Sequence, residues 1–401
     1  MIANAEWAAQ FRRELTENIL PFWMRHTIDR ENGGFFGAVD CGLEVDRQAP
    51  RASVINARIL WTFSAAARVL DDPTYRQTAD WAYRYIVDKF WDQEFGGIYW
   101  MLDFEGRPIS DRKQIYAQAF AVYGLAEYSL ATGRAESLEW AKRLYRLIEE
   151  KSGEPEYGGY LEARARDWSA LEDRRLSDKD LNSPKSMNTH LHILEAYTNL
   201  LRAWDDSGLR ASLTRLLEVT MDRIVAGGSH FKLFFDNQWN SLNDHVSFGH
   251  DIEGSWLILE AAEALGDAAL IDRARALAVR MAQAVYDEGL DADGSIFYEA
   301  SHGLMVDPNK HWWAQAEAVA GFYNAFQVSG EEPFRTAAWR AWEYIQAKVV
   351  DRVHGEWHAK LRPDGTPWKA GEDPDACLVG AWKCPYHNGR VCLEMMARLG
   401  K

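Results

Sequence analysis

Cysteine is scarce in this chain of 401 residues: there are four, Cys41, Cys377, Cys384 and Cys392, and none forms a CxxC pair. That excludes a disulfide framework and a cysteine-rich zinc site, and it reads as reduced thiols in a cytoplasmic protein. Positive charge is in deficit, with 45 Lys and Arg against 60 Asp and Glu and a formal net charge of −15. Such a chain repels phosphate backbones and anionic headgroups, so neither nucleic acid nor a membrane surface is an expected partner. No apolar run approaches the ~20 residues that cross a bilayer. The opening MIANAEWAAQFRRELTEN lacks the uninterrupted apolar stretch of a secretory signal. A phosphate-cradling P-loop and an HExxH metal motif are missing too.

What the chain has in plenty is apolar and aromatic surface. Hydrophobic residues make up 47%, including 18 Trp, 16 Tyr and 17 Phe, enough for one large core. Most of these rings belong to that core. A minority suit a groove for a sugar, whose C–H faces pack on aromatic rings while its hydroxyls seek polar partners.

A turn of glycine and aromatics recurs along the whole length. It reads Gly33-Gly34-Phe35-Phe36, Gly96-Gly97-Ile98-Tyr99-Trp100 and Gly158-Gly159-Tyr160-Leu161. It returns as Gly227-Gly228-Ser229-His230-Phe231, Gly294-Ser295-Ile296-Phe297-Tyr298 and Gly355-Glu356-Trp357. The steps lie between 61 and 69 residues, a repeat longer than those of common solenoids. Glycine supplies the tight turn, and the alternating aromatics suit a short strand.

Two helical patterns fall between successive turns. The spacing predicts an apolar, Ala-rich helix over Asn56–Leu70, then an amphipathic one from Thr74 to Phe90 that Asp71-Asp72-Pro73 starts. The pairing continues as Gln114–Leu130 with Ala135–Glu150, Ser186–Trp204 with Leu209–Val225, and Asp251–Leu265 with Ala268–Tyr286. It ends as Trp312–Val328 with Glu332–Val349, and Tyr386–Leu399 with the N-terminal Glu6–Phe22. A last pair split between the two termini favours closure. The expected fold is therefore all-α: an (α/α)6 barrel of six helix pairs, with short β-hairpins at one end and one catalytic domain over residues 1–401.

Polar residues in apolar inner helices need a reason. They gather at the helix beginnings: Arg58; Tyr116; Asn188, His190 and His192; His250, Asp251 and Glu253; Trp313, Gln315 and Glu317; His387, Asn388 and Arg390. In a closed barrel these openings share one end, so the side chains converge on one funnel. Asn188 and His192 share a face with Glu195, whereas His190 and His192 cannot both point inward. His192 is the expected inward residue, and His190 is expected to pack between helices. His250 and Glu253, then Trp256, follow at i, i+3 spacing; Trp313 and Glu317 at i, i+4; His387 and Arg390 at i, i+3.

Three histidines on one rim suit proton transfer near neutrality, taking a proton from one face of a planar intermediate and returning it to the other. Other readings stand beside this one. A His-x-x-Glu pair or the three histidines would ligate a metal, although no Cys/His cluster accompanies them. Cys384 near His387 would be a nucleophile pair, but without an oxyanion-hole motif. Glu253 and Glu317 would supply the two carboxylates of a glycosidase.

At these residues the chain resembles the N-acylglucosamine 2-epimerase superfamily, most closely its cellobiose 2-epimerase branch. The resemblance runs through INARILWTFSAA (Ile55–Ala66), KQIYAQAFAVYGL, KSMNTHLHILEAYTNL, SFGHDIEGSWLILEA, HWWAQAEAVAGFYNA and WKCPYHNGRVCLEM, so it spans the chain. It implies the same barrel, and an activity that opens the reducing-end glucose ring, removes the C2 proton to form a cis-enediolate, and reprotonates from the opposite face. Carried over position by position, His250 and His387 are similar to the acid/base pair at C2. His192 corresponds to a residue orienting the carbonyl end, and Arg58 to the one that stabilises the enediolate oxygen. Tyr116, Asn188, Glu253 and Glu317 would hold hydroxyls or tune the histidines. Trp313 and Trp382 would stack the reducing-end and second sugars, Trp256 would support the pocket wall, and Asp180 would reach the distal sugar.

Proton transfer alpha to a carbonyl needs no metal or nucleotide, so no cofactor is expected. The long polar loop from Asp167 to Pro184 favours a second sugar, hence a β-1,4-linked disaccharide such as cellobiose or lactose. The partner expected is a small-molecule oligosaccharide or monosaccharide, and the protein a monomer or weak homo-oligomer. A mannose 2-epimerase or an aldose–ketose isomerase on the same site is the first alternative. An inverting glycoside hydrolase or a non-catalytic glycan-binding barrel is the more distant one.

Overall fold

The computed structural model describes residues 3–369 and 371–400. Among them the chain forms twelve helical rods in two rings. The inner ring is Ser53–Leu70, Ile115–Thr132, Met187–Ala203, Phe248–Leu265, Trp312–Ser329 and Tyr386–Leu399. Each of these packs on the next, and the sixth packs back on the first, which closes the ring. The outer rods are Asn4–His26, Pro73–Phe90, Ala135–Ser152, Ser207–Ile224, Ala268–Gly289 and Glu332–Val349. All but the third include a π-helical turn, and in four of them it is the last turn before the chain swings back toward the inner ring.

Burial separates the rings. The first inner helix buries every residue from Ser53 to Ala66, whereas its outer neighbour buries only one stripe through Tyr75, Ala79, Ala82 and Ile86. A helix apolar all round must be surrounded by protein, and one with a single apolar face covers it. Small residues set the spacing of the inner ring. At Gly321 a Cβ would come within 2.5 Å of the Ile252 carbonyl oxygen on the adjacent helix, so any larger residue would force the two helices apart.

Inner and outer helices join by tight links at one end of the barrel. Gly133, Gly266 and Gly330 take left-handed φ at three helix ends, and Asp71 (φ 52°) does so at a fourth. Asp72, Asp206 and Asp267 then cap the helices that follow.

The glycine turns lie at the other end, with six small antiparallel sheets. In each, the strand just before one inner helix pairs with the strand after the next glycine turn, as Arg51–Ala52 does with Met101–Leu102 and Lys113–Gln114 with Ala163–Arg164. The last pairing, Val39 with Val379, joins the sixth repeat to the first and completes the circle.

Some details differ from the reading of the sequence. The first and fourth inner helices begin at Ser53 and Phe248 rather than Asn56 and Asp251, so His250 lies inside the first turn of its helix, and the N-terminal rod runs Asn4–His26 rather than Glu6–Phe22. Among the described residues the fourth glycine turn makes no β-bridge, unlike Ile28 with Phe35, Trp91 with Ile98, Gly153 with Tyr160, Leu290 with Ile296 and Val350 with Trp357.

Candidate active site

The six inner helices share one register. Counted from the first residue of each (from the N-cap Pro385 in the sixth), position +3 is Asn56, Gln118, His190, Asp251, Gln315 and Asn388. Five of these face outward and hold the glycine turns. Gln118 brackets Ile98, accepting its N–H at 2.8 Å and donating to its carbonyl at 2.9 Å; Gln315 does the same to Ile296. His190 Nε2 accepts the Tyr160 N–H at 2.9 Å while Nδ1 donates to the Ser186 carbonyl. That fixes its tautomer, and burial takes its pKa down to about 4. His190 is therefore a structural residue of the repeat.

Position +5 faces the axis instead: Arg58, Phe120, His192, Glu253, Glu317 and Arg390. These six side chains form the floor of the funnel. The Arg58 guanidinium lies 4.2 Å from the Phe120 ring centre, and the His192 ring is 4.7 Å from the same ring. Arg58 also donates to the Tyr116 hydroxyl at 2.7 Å. Burial opposes its charge, but Tyr116, Cys384, Tyr386 and Glu253 outweigh it, so it stays a fixed cation.

Arg390 is the second cation, and three buried carboxylates converge on it. Its Nη1 donates to Glu195, and its Nη2 to Glu253 and to Glu317, the latter at 2.7 Å. Glu195 also accepts from the Tyr386 hydroxyl and from His192 Nδ1 at 3.0 Å. Glu317 also accepts from Trp256 Nε1 at 3.1 Å and from His387 Nδ1 at 2.7 Å. In a neutral imidazole a carboxylate opposite Nδ1 selects the tautomer with its proton there, so His387, which resists charging, keeps Nε2 as its free basic nitrogen. One guanidinium cannot neutralise three carboxylates. Burial, aided by Glu317 and opposed by Arg390, pushes Glu253 up to about 7, and its Oε2 has no hydrogen-bond partner among the described residues.

The layer above the floor holds His250 and His387, both at position +2 of their helices. Trp313, at +1 of the helix between them, touches both: ring centres are 4.7 Å apart to His250 and 5.5 Å to His387. Gly249 makes room for this indole, since a Cβ there would come within 2.6 Å of it. His250 Nδ1 meets the Ser247 hydroxyl at 2.8 Å, a partner that serves either tautomer. Burial, then His192 and Arg58, lowers its pKa to about 3. Burial with Arg58 and Arg390 holds His387 well below its ordinary value. Asn188 adds a buried carbonyl oxygen without a hydrogen-bond partner among the described residues.

Glu253, Glu317 and His387 also bring donor atoms within 4.8 Å of one another, as a metal site would. Here Arg390 Nη2 already bonds both carboxylates, so a guanidinium fills the cation's place.

Trp382 stands further out, 6.0 Å from the Tyr116 ring and 6.1 Å from Trp100. It lines a cleft of about 290 Å³ with Trp100, Arg112 and the loop residues Asp173, Ser177 and Asp178. This loop crosses the mouth, and Lys179 meets Asp375 of the sixth repeat at 2.8 Å. Asp180 turns back into its own loop, where its Oδ2 accepts from the Ser177 N–H and hydroxyl. Asp173 and Asp178 of the same loop line the cleft, while Asp180 lies close enough to Tyr298 and Glu299 for its charge to raise the pKa of both, and Tyr298 packs edge-on against Trp313.

The profile of the N-acylglucosamine 2-epimerase (GlcNAc 2-epimerase) family matches residues 34–376. The chain belongs to that family. It is 46% identical over 389 residues to a cellobiose 2-epimerase of Bacteroides fragilis, covering 96% of this chain and 98% of the relative. A cellobiose 2-epimerase of Dictyoglomus turgidum is 39% identical, covering 96% and 97%. The solved cellobiose 2-epimerase of Bacillus thermoamylovorans superposes with a TM-score of 0.92 at 40% identity, covering 98% of this chain and all of that one.

Within this family member, the inward residues of distant repeats stand together: Arg58, His192, Glu253 and Glu317 form the floor with Tyr116 on Arg58, and His250 and His387 flank Trp313 above it, His387 bonded down to Glu317. Trp256 braces Glu317 from behind. The sequence reading gave no site role to Arg390, Glu195 or Tyr386. Their signal was available: Arg390 occupies the same +5 position as Arg58, Glu253 and Glu317.

Proposed function

We propose that this chain is a cellobiose 2-epimerase. It reversibly epimerises C2 of the reducing-end glucose of β-1,4-linked disaccharides such as cellobiose and lactose, and it acts as a single catalytic domain over residues 1–401. The observation that carries this reading is the packing of His250 and His387 on one indole, each anchored through Nδ1. With Nδ1 held, Nε2 addresses the substrate, and two such nitrogens serve the two faces of one open-chain sugar.

The steps follow from the groups present. The ring opens, and Arg58 and His192 take the carbonyl end. One imidazole removes the C2 proton, and the electron pair moves onto O1 to give a cis-enediolate. Arg58, a fixed cation already hydrogen-bonded to Tyr116, meets that negative charge. The other imidazole, which enters the step with a proton on Nε2, delivers it to the opposite face of C2, so the two rings exchange protonation states in each turnover and solvent resets them. Both rings resist charging in this buried setting, so the imidazolium gives up its proton readily. Asn188 and Glu253 offer unpaired oxygens to the sugar hydroxyls, Trp313 and Trp382 stack the two rings, and Glu317 fixes the His387 tautomer.

The sugar is the partner, with the protein a monomer or weak homo-oligomer. The cytoplasm is its compartment, which its four cysteines outside any framework support.

Product analysis by NMR in D2O tests the reading, with cellobiose, lactose, mannose and N-acetylglucosamine side by side. Expected are a glucosyl-mannose product from cellobiose and deuterium at C2 of its reducing end. A ketose product, or free monosaccharides, would replace this function with isomerisation or hydrolysis. His250→Ala and His387→Ala each lose turnover while the helical circular dichroism persists; near-normal activity in either removes that residue from the pair.

A further inference from the structure

Five repeats share a buried ion pair between the inner-helix approach and the glycine turn. They are Arg51 with Asp29, Lys113 with Asp92, Lys185 with Glu154, Lys310 with Asp291 and Lys383 with Glu356. All five cations are buried. The fourth repeat, which carries His250, departs from this pattern. Val246 stands two residues before its helix, where Lys113, Lys185 and Lys310 stand before theirs. Ala226, second past the outer helix, stands where Asp92, Glu154 and Asp291 do.

The charges have changed sides. The acid is now Asp251 on the inner helix, fully buried and adjacent to His250. Its Oδ1 accepts the Phe231 N–H at 2.7 Å, and its Oδ2 meets His230 Nδ1 at 2.7 Å. The cation is now an imidazole on the turn, the one basic side chain type that titrates near neutrality.

We infer that His230 is a positioning residue for His250, clasping through Asp251 the first helical turn that presents that imidazole to the sugar. The catalytic consequence rests on His250 being one of the C2 acid/base pair. Two charged groups face His230: Asp251 from the inner helix, and Glu288 from the following outer rod at 3.3 Å. Lys232, on the same turn, faces Asp244 instead. Burial disfavours the imidazolium, but the two carboxylates outweigh it, so the His230 pKa is raised. The ion pair is thus fully formed below the ordinary histidine value and is lost as pH rises through the raised one. Losing it leaves Asp251 a buried carboxylate without a countercharge, a state relieved by moving the helix end. The helix end carries Ser247, Gly249 and His250, so the His250 ring shifts against Trp313.

Two variants and two readouts test this. His230→Asn keeps an N–H donor for Asp251 but cannot titrate; His230→Ala removes the donor. In labelled-histidine NMR of the sugar-free protein, the His250 resonance should follow the His230 titration in the parent and lose that response in His230→Asn. In turnover of cellobiose, the parent kcat should show an alkaline fall that His230→Asn lacks. His230→Ala should lower kcat about tenfold with KM within about twofold. A His250 resonance indifferent to His230, or an alkaline fall unchanged in His230→Asn, overturns the inference. A His250 resonance that follows His230 while kcat ignores both variants upholds the clasp and instead removes His250 from the chemistry.

Discussion

His387 Nδ1 lies 2.7 Å from Glu317 Oε1, and the same oxygen accepts Arg390 Nη2 at 2.7 Å. The carboxylate therefore fixes the imidazole tautomer while the guanidinium takes up its charge. Glu317→Gln should keep the packing but loosen that choice, because an amide can present either oxygen or N–H to Nδ1. The expected result is a kcat about 100-fold lower with KM nearly unchanged, the range that general acid–base groups contribute. Steady-state kinetics on cellobiose, with thermal melting to check folding, measures both. A loss confined to KM would show that Glu317 binds sugar instead of orienting the base.

Gly249 gives a steric test of the same centre. A Cβ added there would sit 2.6 Å from the Trp313 ring and 2.9 Å from Ala314 Cβ, so the indole must move. Gly249→Ala should destabilise the barrel by about 1–3 kcal/mol, as overpacking does. Because Trp313 supports both imidazoles, kcat/KM should fall about tenfold or more, well beyond what that loss of stability alone gives a folded enzyme. Denaturant melts and kinetics at a temperature where the variant stays folded separate the two effects.

Buried ion pairs of the repeat serve the fold, and their removal should show it. Lys113 is fully buried on Asp92, which also holds Arg166. Lys113→Met strands part of that carboxylate's compensation and should lower stability by about 3–5 kcal/mol. Its effect on kcat should be small, since Lys113 is two residues before its helix and faces the turn. Chemical denaturation together with kinetics on the folded fraction would expose a catalytic role if one existed.

The barrel was legible because its repeat is written in residues whose roles do not vary: glycine at each turn, alanine-rich inner helices, aspartate and proline at the outer starts. Closure was legible because the unpaired inner helix Tyr386–Leu399 needs the N-terminal rod. Individual roles were harder to read because chemistry and scaffolding use the same residue types. His190 and His192 are two residues apart, yet one braces a glycine turn and the other faces the axis. The face that His192 shares with Asn188 and Glu195 separates them, and the register across all six helices gives the reason. Arg390 was passed over for a related reason: a buried arginine looks like an ordinary ion pair until three distant carboxylates are found on it. The loop that carries Asp180 is polar throughout, and only the folded loop shows that Ser177 anchors one oxygen of its carboxylate.

Glu253 provides a pH test whose sign is fixed in advance. Its pKa rises from 4.5 to about 7, first through burial and then through Glu317. A carboxyl raised in the folded state resists ionisation there, so the fold loses stability as pH climbs between the unfolded and folded values, with no further loss above. Glu253→Gln removes that ionisation and keeps the shape. The variant should therefore melt close to the parent at about pH 5, and higher than it at about pH 8, by an amount on the order of 1–3 kcal/mol. Melting curves of both proteins across that range give the difference directly. The interval is specific: a gap that opens below the unfolded value, or that narrows with rising pH, would mean that Arg390 keeps Glu253 ionised throughout. Activity should fall in the variant at every pH, because the amide replaces with an NH2 one of the two oxygens that accept from Arg390 and from the sugar. Stability gained and turnover lost in one substitution is the pattern expected where a buried charge is kept for chemistry at the expense of the fold.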